Sequence, residues 1–389
     1  TLELKRLYNP VKEPGKGTFK KMNVFILILE SFSKEYIGAL NGKQKGYTPF
    51  LDSLISESLT FTNAYANAKR SIEGIPAVIA GIPNWMNEPY ITSMYGSNRI
   101  NSLPNLLKKQ GYYSAFFHGG ANGTMGFDAF SSMAGYDAYF GRKEYGNDKA
   151  FDGNWGIWDE EFLQYACSTM SDKQQPFFAT FFTLSSHHPY SIPEKYTGKF
   201  KPGSLPIHIS IRYADFALQR FFESVKKTSW FKNTLFVLVS DHTSISEDPF
   251  YANAVGNNAI PIIFYSGDQS LKAKDPTIIQ QIDIMPSILD YLHYPEPYYG
   301  FGNSAFDSTK SHYVFSYSNN VFQLIENNHS FGFNGRKPVD LYDLSKDSLL
   351  QNNLIHTDTA MVKQMEEKSK AIIQTFQQAL INNQMYIDN

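Results

Sequence analysis

Three side chains of this sequence have the chemistry of a hard-metal site. Glu30 follows an apolar run at residues 24–29, and Asp241 and His242 follow, after one serine, a second run at 235–239. Two carboxylates and one imidazole suit Mn²⁺, Mg²⁺ or Zn²⁺ and disfavour metals that thiolates select. The alternatives are that Glu30 caps a neighbouring helix and that the Asp-His pair is a polar turn.

Ser71 is the candidate nucleophile, because two cations precede it in the stretch Lys69-Arg70-Ser71. Helix-terminal amides, a metal and either cation would each stabilise an alkoxide and an incoming anion. The other interpretation is that Ser71 is an ordinary N-cap of the helix that follows. Together with the metal set, this serine indicates a metal-activated nucleophile that acts on an anionic ester.

Histidines in two segments offer contacts to such a substrate. His187 and its neighbour His188 follow an apolar run, and a histidine there can donate to an ester oxygen or protonate a leaving group. The alternative is a loop histidine stacked on Tyr190. His118 begins a glycine-rich loop, in which the backbone can approach a ligand closely, although such loops are also plain turns.

The elements that must position these residues are short strands covered on both faces. Continuous apolarity without alternation is typical of a mostly parallel sheet, and helical patterns at 211–225 and 278–292 separate some of the strands. The alternation predicts a doubly wound α/β sandwich, in which ligands gather at the carboxyl ends of the strands. The predicted strands are 24–29, 113–117, 177–184, 235–239 and 260–265.

The pattern changes in the last quarter of the chain. Four short runs separated by Asn, Gly and Lys turns predict an antiparallel meander, and a helical pattern at 360–383 follows them. We therefore expect an α/β catalytic domain over residues 1–297 and a small α+β subdomain over 298–389. The predicted meander strands are 313–317, 321–325, 329–333 and 339–341.

Composition restricts the classes of function. The chain has 389 residues, 42% of them hydrophobic, and a formal net charge of −2, which argues against nucleic acid as a partner. Cys167 is the single cysteine and excludes an internal disulfide or a cysteine zinc cluster. No apolar run reaches membrane-spanning length, and the polar, Lys-rich start at 1–21 is expected of a domain separated from a membrane anchor.

Several motifs resemble the alkaline-phosphatase superfamily, and specifically the sulfatase family in its lipoteichoic acid synthase branch. Residues 27–31 (LILES) resemble the first metal strand, and residues 239–242 (VSDH) resemble the second. Residues 69–71 (KRS) resemble the turn that carries the nucleophile in this family, and residues 183–187 (TLSSH) resemble the segment that carries a substrate-binding histidine. The stretch 341–354, which begins LYDLSKD and ends NNL, resembles the ending of sulfatases.

The resemblance implies a fold, a metal and a set of site residues. The fold would be an alkaline-phosphatase-like sandwich with a small C-terminal antiparallel subdomain. The cofactor would be one divalent ion, Mn²⁺ or Mg²⁺, with Zn²⁺ and Ca²⁺ as alternatives. The implied metal ligands are Glu30, Ser71, Asp241 and His242, and the implied substrate contacts are His118, His187 and Ser246.

The sequence also departs from the patterns of its relatives. Lipoteichoic acid synthases hold glycerol phosphate with a Trp and an Arg, and those places are taken here by Met125 and Phe127. Sulfatases that form formylglycine carry C/S-x-P-x-R, whereas here Glu73 and Ile75 stand two and four residues after Ser71. An unmodified serine favours phosphoryl over sulfuryl transfer, since a phosphoserine held by a metal can be attacked in line.

We therefore expect a single-metal phosphoester hydrolase or phospho-group transferase acting on an envelope or polyol phosphate. Ser71 would attack phosphorus, Lys69 or Arg70 would offset developing charge, and His187 would assist the leaving group. The alternatives are a sulfuric ester hydrolase and an inactive polyanion-binding domain. The resemblance further implies a bacterial domain on the outer face of the cytoplasmic membrane, attached through a segment absent from this chain.

Overall fold

An eight-stranded sheet lies at the centre of the protein, and a four-stranded sheet lies beside it. The computed structural model describes residues 8–388, so residues 1–7 and 389 of the two predicted domains lie outside the described part. The strands are β1 (Val11–Lys12), β2 (Asn23–Leu29), β3 (Leu59–Tyr65), β4 (Tyr113–His118), β5 (Ala138–Phe140), β6 (Phe177–Phe182), β7 (Thr234–Ser240), β8 (Ile262–Ser266), β9 (Ala273–Gln280), β10 (Tyr298–Tyr299), β11 (Val314–Ser318), β12 (Val321–Glu326), β13 (His329–Phe333) and β14 (Pro338–Asp343).

The α-helices flank the central sheet or follow the second one. None of the helices in residues 8–388 combines the length and the apolarity needed to cross a bilayer. They are α1 (Pro49–Ile55), α2 (Ser71–Ala80), α3 (Leu103–Lys108), α4 (Phe127–Ala134), α5 (Arg142–Tyr145), α6 (Asp159–Ser171), α7 (His208–Val225), α8 (Pro249–Ala252), α9 (Ile284–Tyr291) and α10 (Thr359–Ile381).

The central sheet has the strand order β5-β4-β6-β2-β7-β8-β3-β9 and is mostly parallel. Only β8 runs against its neighbours β7 and β3. All residues of β2, β6 and β7 are buried, because helices cover both faces of the sheet. Along β2, Ile26 packs into a core shared with α2 and α9, whereas Leu27 packs into a second core shared with α6 and α7. The predicted α/β sandwich is confirmed.

The register of the parallel strands brings their carboxyl ends to one edge of the sheet. Leu29 at the end of β2 pairs with Ser240 at the end of β7. On the other side of β2, Ile28 pairs with Phe182 of β6, which in turn pairs with His118 of β4. Residues that follow these strands are therefore neighbours in space, although more than 100 residues separate some of them in the chain.

Strands β11 to β14 form a sequential antiparallel sheet, as the sequence predicted. Helix α10 packs on it through an apolar stripe that includes Ile372 and Phe376. A side-chain contact joins this sheet to the central one, since Gln280 Oε1 accepts a hydrogen bond of 2.9 Å from the Phe315 amide. The boundary between residues 297 and 298 stays a prediction.

The predicted helix over 278–292 is wrong in its first part. Residues 278–280 continue β9, a short 3₁₀ turn follows, and α9 begins at Ile284. Ile278 and Ile279 are β-branched residues that pair with β3, and this long-range pairing overrides the helical spacing. Strand β3 was itself missed because Thr60, Thr62 and Asn63 interrupt its apolar run, and one of its partners, β9, begins with polar residues.

Asn23 ties the three central strands together at the sheet edge opposite Glu30. It is fully buried, its Oδ1 accepts from the Phe177 amide at 2.9 Å, and its Nδ2 donates to Thr234 and to Gln175. We expect Asn23→Ala to lower the free energy of unfolding by about 1–3 kcal/mol, because it leaves buried partners unpaired.

Urea unfolding monitored by circular dichroism measures this change. The matched control is Asn233→Ala, which removes one exposed hydrogen bond to Lys21 and is expected to cost less than about 0.5 kcal/mol. Equal stabilities for the two variants would show that the Asn23 tie does not hold the strands together.

Candidate active site

Glu30 and Asp241 stand side by side, one residue beyond the ends of β2 and β7. Both are buried, with exposures of 1% and 0%. The Glu30 amide donates to Thr183 Oγ1 at 2.8 Å, and the Ser31 amide donates to Asp241 Oδ1 at 2.9 Å. The paired register of the two strands therefore places two carboxylates together in the interior.

His242 completes this group and presents one ring nitrogen to the carboxylates. Its Nε2 lies 3.2 Å from Asp241 Oδ2 and 3.6 Å from Glu30 Oε1. Its Nδ1 lies 2.7 Å from the Thr243 carbonyl, which can only accept, so Nδ1 carries a proton. Metal-binding histidines commonly use this arrangement, because the second ring nitrogen keeps its lone pair for the ion.

Ser71 is the first residue of α2, with Arg70 as its N-cap, so the interpretation of Ser71 as a simple cap does not hold. Its Oγ donates to Glu30 Oε2 at 3.1 Å and lies 3.4 Å from His242 Nε2. The structure thus brings together the nucleophile candidate and the three other residues expected to bind metal.

The electrostatics of the group favour a cation. Burial raises the pKa of Asp241, and the charge of Glu30 raises it further. Burial by itself would lower the pKa of His242, but the two carboxylates raise it above its ordinary value. Each effect reflects negative charge in a low-dielectric interior, which a bound divalent ion would offset.

The donor atoms also fit a divalent ion. One atom each from Glu30, Asp241 and His242 lies within 4.8 Å of the others. Ser71 directs its one proton to Glu30, and Asp241 Oδ2 is buried without a hydrogen-bond donor among residues 8–388. Oxygen and imidazole donors of this kind suit Mn²⁺, Mg²⁺ or Zn²⁺.

The two cations before Ser71 have different partners. Lys69 Nζ donates to the carbonyl of Asn257 at 3.0 Å and also to its side chain, and burial lowers the pKa of Lys69 to about 8. Arg70 pairs its guanidinium with Glu73, whose carboxylate also accepts from the Lys69 and Arg70 amides. Glu73 therefore holds the turn that carries the nucleophile.

His118 lies on the same sheet edge, two strands from β2, which corresponds to about 10 Å. Its exposure is 1%, its Nδ1 lies 3.0 Å from the Tyr139 hydroxyl, and its ring stacks on Phe182. Phe127 packs edge-on against the same ring and is itself buried. Burial lowers the pKa of His118 to about 3, so this ring is neutral at physiological pH.

His187 lies on a loop anchored beside Glu30, and Ser246 lies four residues after His242. The residue before His187, Ser186, donates its hydroxyl to the Glu30 carbonyl at 2.5 Å. The predicted alternative of a stack between His187 and Tyr190 is wrong, because Tyr190 contacts His188 whereas the His187 ring packs on a tryptophan. Ser246 Oγ donates to the Asp248 carbonyl at 3.2 Å.

Two residues that support the site were missed by sequence reasoning. Gln281 is fully buried, and its Nε2 donates to the carbonyls of Ser240 and Asp241, each at 2.7 Å. No local pattern indicates this contact, which depends on the 3₁₀ turn after β9. The second residue, Gly74, lies against the backbone of Asp241. A glycine inside a helical pattern often marks a close approach between two backbones, so this residue could have been identified from the sequence.

Arranged as a mostly parallel sheet between two helical layers, the chain has an alkaline-phosphatase-like α/β fold. A family model described as Sulfatase matches residues 22–294, and the chain belongs to this family.

Curated relatives include lipoteichoic acid synthases. The chain is 28% identical over 249 residues to the lipoteichoic acid synthase-like protein YvgJ of Bacillus subtilis, a match that covers 62% of this chain and 40% of the relative. It is 27% identical over 304 residues to lipoteichoic acid synthase 1 of the same organism, covering 70% of this chain and 46% of the relative. The matched region spans less than half the length of these relatives.

Solved structures share nearly the whole fold. A protein in the alkaline phosphatase superfamily from Vibrio parahaemolyticus matches with a TM-score of 0.83 and 27% identity over 97% of this chain and 91% of that chain. The lipoteichoic acid synthase LtaP from Listeria monocytogenes matches with a TM-score of 0.81 and 20% identity over 98% of each chain. At 20% identity, the second likeness shows the fold alone.

Gly74 is expected to be intolerant of even a methyl side chain. A Cβ at this position would lie 2.7 Å from the carbonyl oxygen of Asp241 and 3.1 Å from its Cα. Alanine normally favours a helix over glycine by up to about 1 kcal/mol. We expect Gly74→Ala instead to lower the free energy of unfolding by about 1–3 kcal/mol, because the backbone of Asp241 must move.

Chemical denaturation of the variant and the wild type measures the difference. A variant as stable as the wild type, or more stable, would contradict the close packing of α2 on the end of β7.

Proposed function

We propose that this protein is a divalent-metal-dependent phosphoester hydrolase or phospho-group transferase that acts through Ser71. The observation that carries the proposal is the position of Ser71 Oγ, 3.1 Å from Glu30 and 3.4 Å from His242 inside a buried acidic group. Membership of the sulfatase family and the likeness to lipoteichoic acid synthases support the same class of chemistry.

The residues that would hold the ion are Glu30, Asp241, His242 and the Ser71 hydroxyl. When bound there, a divalent ion supplies Lewis-acid stabilisation of a serine alkoxide and of an ester oxygen. The hard oxygen donors favour Mn²⁺ or Mg²⁺, with Zn²⁺ and Ca²⁺ as further candidates.

In the proposed reaction, Ser71 is the nucleophile and His187 the acid. Ser71 Oγ releases its proton toward Glu30 Oε2 and bonds to phosphorus, while the bond from phosphorus to the leaving oxygen breaks. His187 protonates that oxygen. Water or an alcohol then attacks the phosphoserine and restores Ser71, which makes the protein a hydrolase or a transferase respectively.

Other site residues have supporting roles in the proposal. Lys69 is held near the nucleophile by Asn257, and its charge or that of Arg70 would offset charge developing on the substrate. His118 and Ser246 are proposed to contact the substrate. The neutral ring of His118 would act through hydrogen bonding rather than as a charge.

A sulfuric ester is the second candidate substrate, because the family model is that of sulfatases. The phosphoric ester is preferred, since the residues after Ser71 depart from the formylglycine motif and a plain serine suits phosphoryl transfer. By likeness to lipoteichoic acid synthases, we propose an envelope or polyol phosphate as the natural substrate. The same likeness supports a domain on the outer face of a bacterial cytoplasmic membrane, attached through a segment outside this chain.

Turnover of aryl phosphate mono- and diesters with Mn²⁺ tests the proposal. We expect Ser71→Ala to lower kcat by about 10⁴- to 10⁶-fold, because it removes the nucleophile. Ser71→Thr keeps a hydroxyl and is the matched control, expected to retain measurable turnover. EDTA is expected to abolish activity, and added Mn²⁺ to restore it.

Retained turnover in Ser71→Ala would contradict the nucleophile. Faster turnover of aryl sulfates, with a formylglycine mass for the peptide that contains Ser71, would establish the second candidate instead. Metal binding by the wild type without turnover of any ester would favour the alternative of an inactive polyanion-binding domain.

A further inference from the structure

Trp155 and His187 are packed against each other beside the candidate active site. Their ring centroids are 3.9 Å apart, with an angle of 47° between the ring planes. Both rings also bond to one backbone atom, the carbonyl oxygen of His188. Trp155 Nε1 donates to it at 2.6 Å, and His187 Nδ1 lies 3.0 Å from it. No sequence motif singled out Trp155.

The shared carbonyl determines where the His187 proton is. A carbonyl oxygen has two lone pairs and no proton, so it can accept from both rings and donate to neither. Nδ1 of His187 therefore carries a proton in the neutral as well as in the protonated ring. The other nitrogen, Nε2, is left to exchange a proton with a ligand.

Trp155 is itself held by a rigid turn. The carboxylate of Asp152 accepts from the amides of Asn154, Trp155 and Gly156 at 2.8–3.1 Å. Gly156 is pressed against the loop after His118, since a Cβ there would lie 2.5 Å from the Gly119 carbonyl. The indole thus has a fixed position relative to the strand end that carries His118.

The loop of His187 is fixed from the same segment. Asp159 is buried, and its two carboxylate oxygens accept from the amides of Leu184 and Ser185 at 2.8 and 3.0 Å. Its amide in turn donates to the Ser185 hydroxyl at 3.0 Å. Residues 152–159 therefore fix both the indole of Trp155 and the loop that carries His187, so the two rings have a defined relative position.

We propose that Trp155 is a positioning residue that holds His187 in one ring orientation and in the Nδ1–H tautomer. The catalytic consequence of this orientation rests on the proposed function, in which His187 transfers protons. In the first step the Nε2–H bond of the protonated ring breaks as a bond forms from that proton to the leaving oxygen, and the ring becomes neutral with Nδ1–H unchanged. In the second step Nε2 takes a proton from the attacking water or alcohol, so one fixed tautomer serves both steps.

The tautomer can be measured without turnover. Two-bond ¹H–¹⁵N spectra of protein labelled at histidine, with the signals of His187 assigned through His187→Gln, distinguish the Nδ1–H from the Nε2–H form. We expect the wild type to show Nδ1–H and Trp155→Leu to show a mixture of both tautomers. Trp155→Phe keeps a ring against His187 and is expected to retain more of the Nδ1–H form than Trp155→Leu.

Trp158→Phe is the matched control, because the Trp158 ring contacts Tyr213, at 5.7 Å between centroids. Its His187 signals are expected to match those of the wild type. An Nε2–H tautomer in the wild type, or identical His187 signals in the wild type and Trp155→Leu, would overturn the proposal.

A kinetic measurement tests the consequence for the reaction. We expect Trp155→Leu to lower kcat by about 10²-fold for phenyl phosphate, because a misplaced acid no longer reaches the leaving oxygen. The loss is expected to be much smaller for p-nitrophenyl phosphate, whose leaving group needs little protonation. An equal loss for both substrates would contradict positioning of an acid. Failure of the proposed function gives a different result. The wild type would then turn over neither ester, whereas the His187 tautomers of the wild type and Trp155→Leu would still differ as expected.

Discussion

The constraint on which the site depends is the burial of two carboxylates next to each other. Glu30 and Asp241 follow adjacent parallel strands whose register places Leu29 opposite Ser240, so neither side chain can avoid the other. Two negative charges in the interior are costly unless a cation or protons compensate them. The raised pKa of Asp241 is the direct expression of that cost. A bound divalent ion would compensate the two negative charges and could also activate a nucleophile.

The surrounding polar network holds the carboxylate oxygens of Glu30 and Asp241 in place. Donors reach the carboxylates from the Ser31 amide and hydroxyl and from Ser71, whereas Gln281 binds the backbone carbonyls behind Asp241. Ser31 adopts a positive φ of 61°, an uncommon conformation for a residue with a side chain. Fixed donor positions are what a metal site needs, because a preorganised site avoids reordering when the ion binds. The strand register brings the two carboxylates together, and the loops after the strands fix the positions of their oxygens.

The main elements could be predicted from the sequence because the central strands are apolar along their whole length. The runs that end at Glu30 and before Asp241 correspond to β2 and β7, and the order of strands and helices was enough to predict the class of fold. The rule that parallel strands share a carboxyl edge predicted the grouping of Glu30 with the Asp-His pair. Ser71 was added to this group because two cations precede it and because the motifs resemble those of sulfatases. Strand β3 and the end of β9 were not found, because their pairing depends on partners distant in the chain. Gln281 and Trp155 were missed for the same reason, since their roles exist only once loops from separate parts of the chain have met.

We propose that one divalent ion is shared by Glu30, Asp241, His242 and Ser71. The most direct measurement is a crystal structure of the protein soaked with Mn²⁺ and recorded where manganese scatters anomalously. We expect one anomalous peak, with an oxygen of Glu30, Asp241 Oδ2, His242 Nε2 and Ser71 Oγ at bonding distances of about 2.2 Å. A saturated crystal with no peak among these four side chains, or with the ion bound elsewhere, would contradict it.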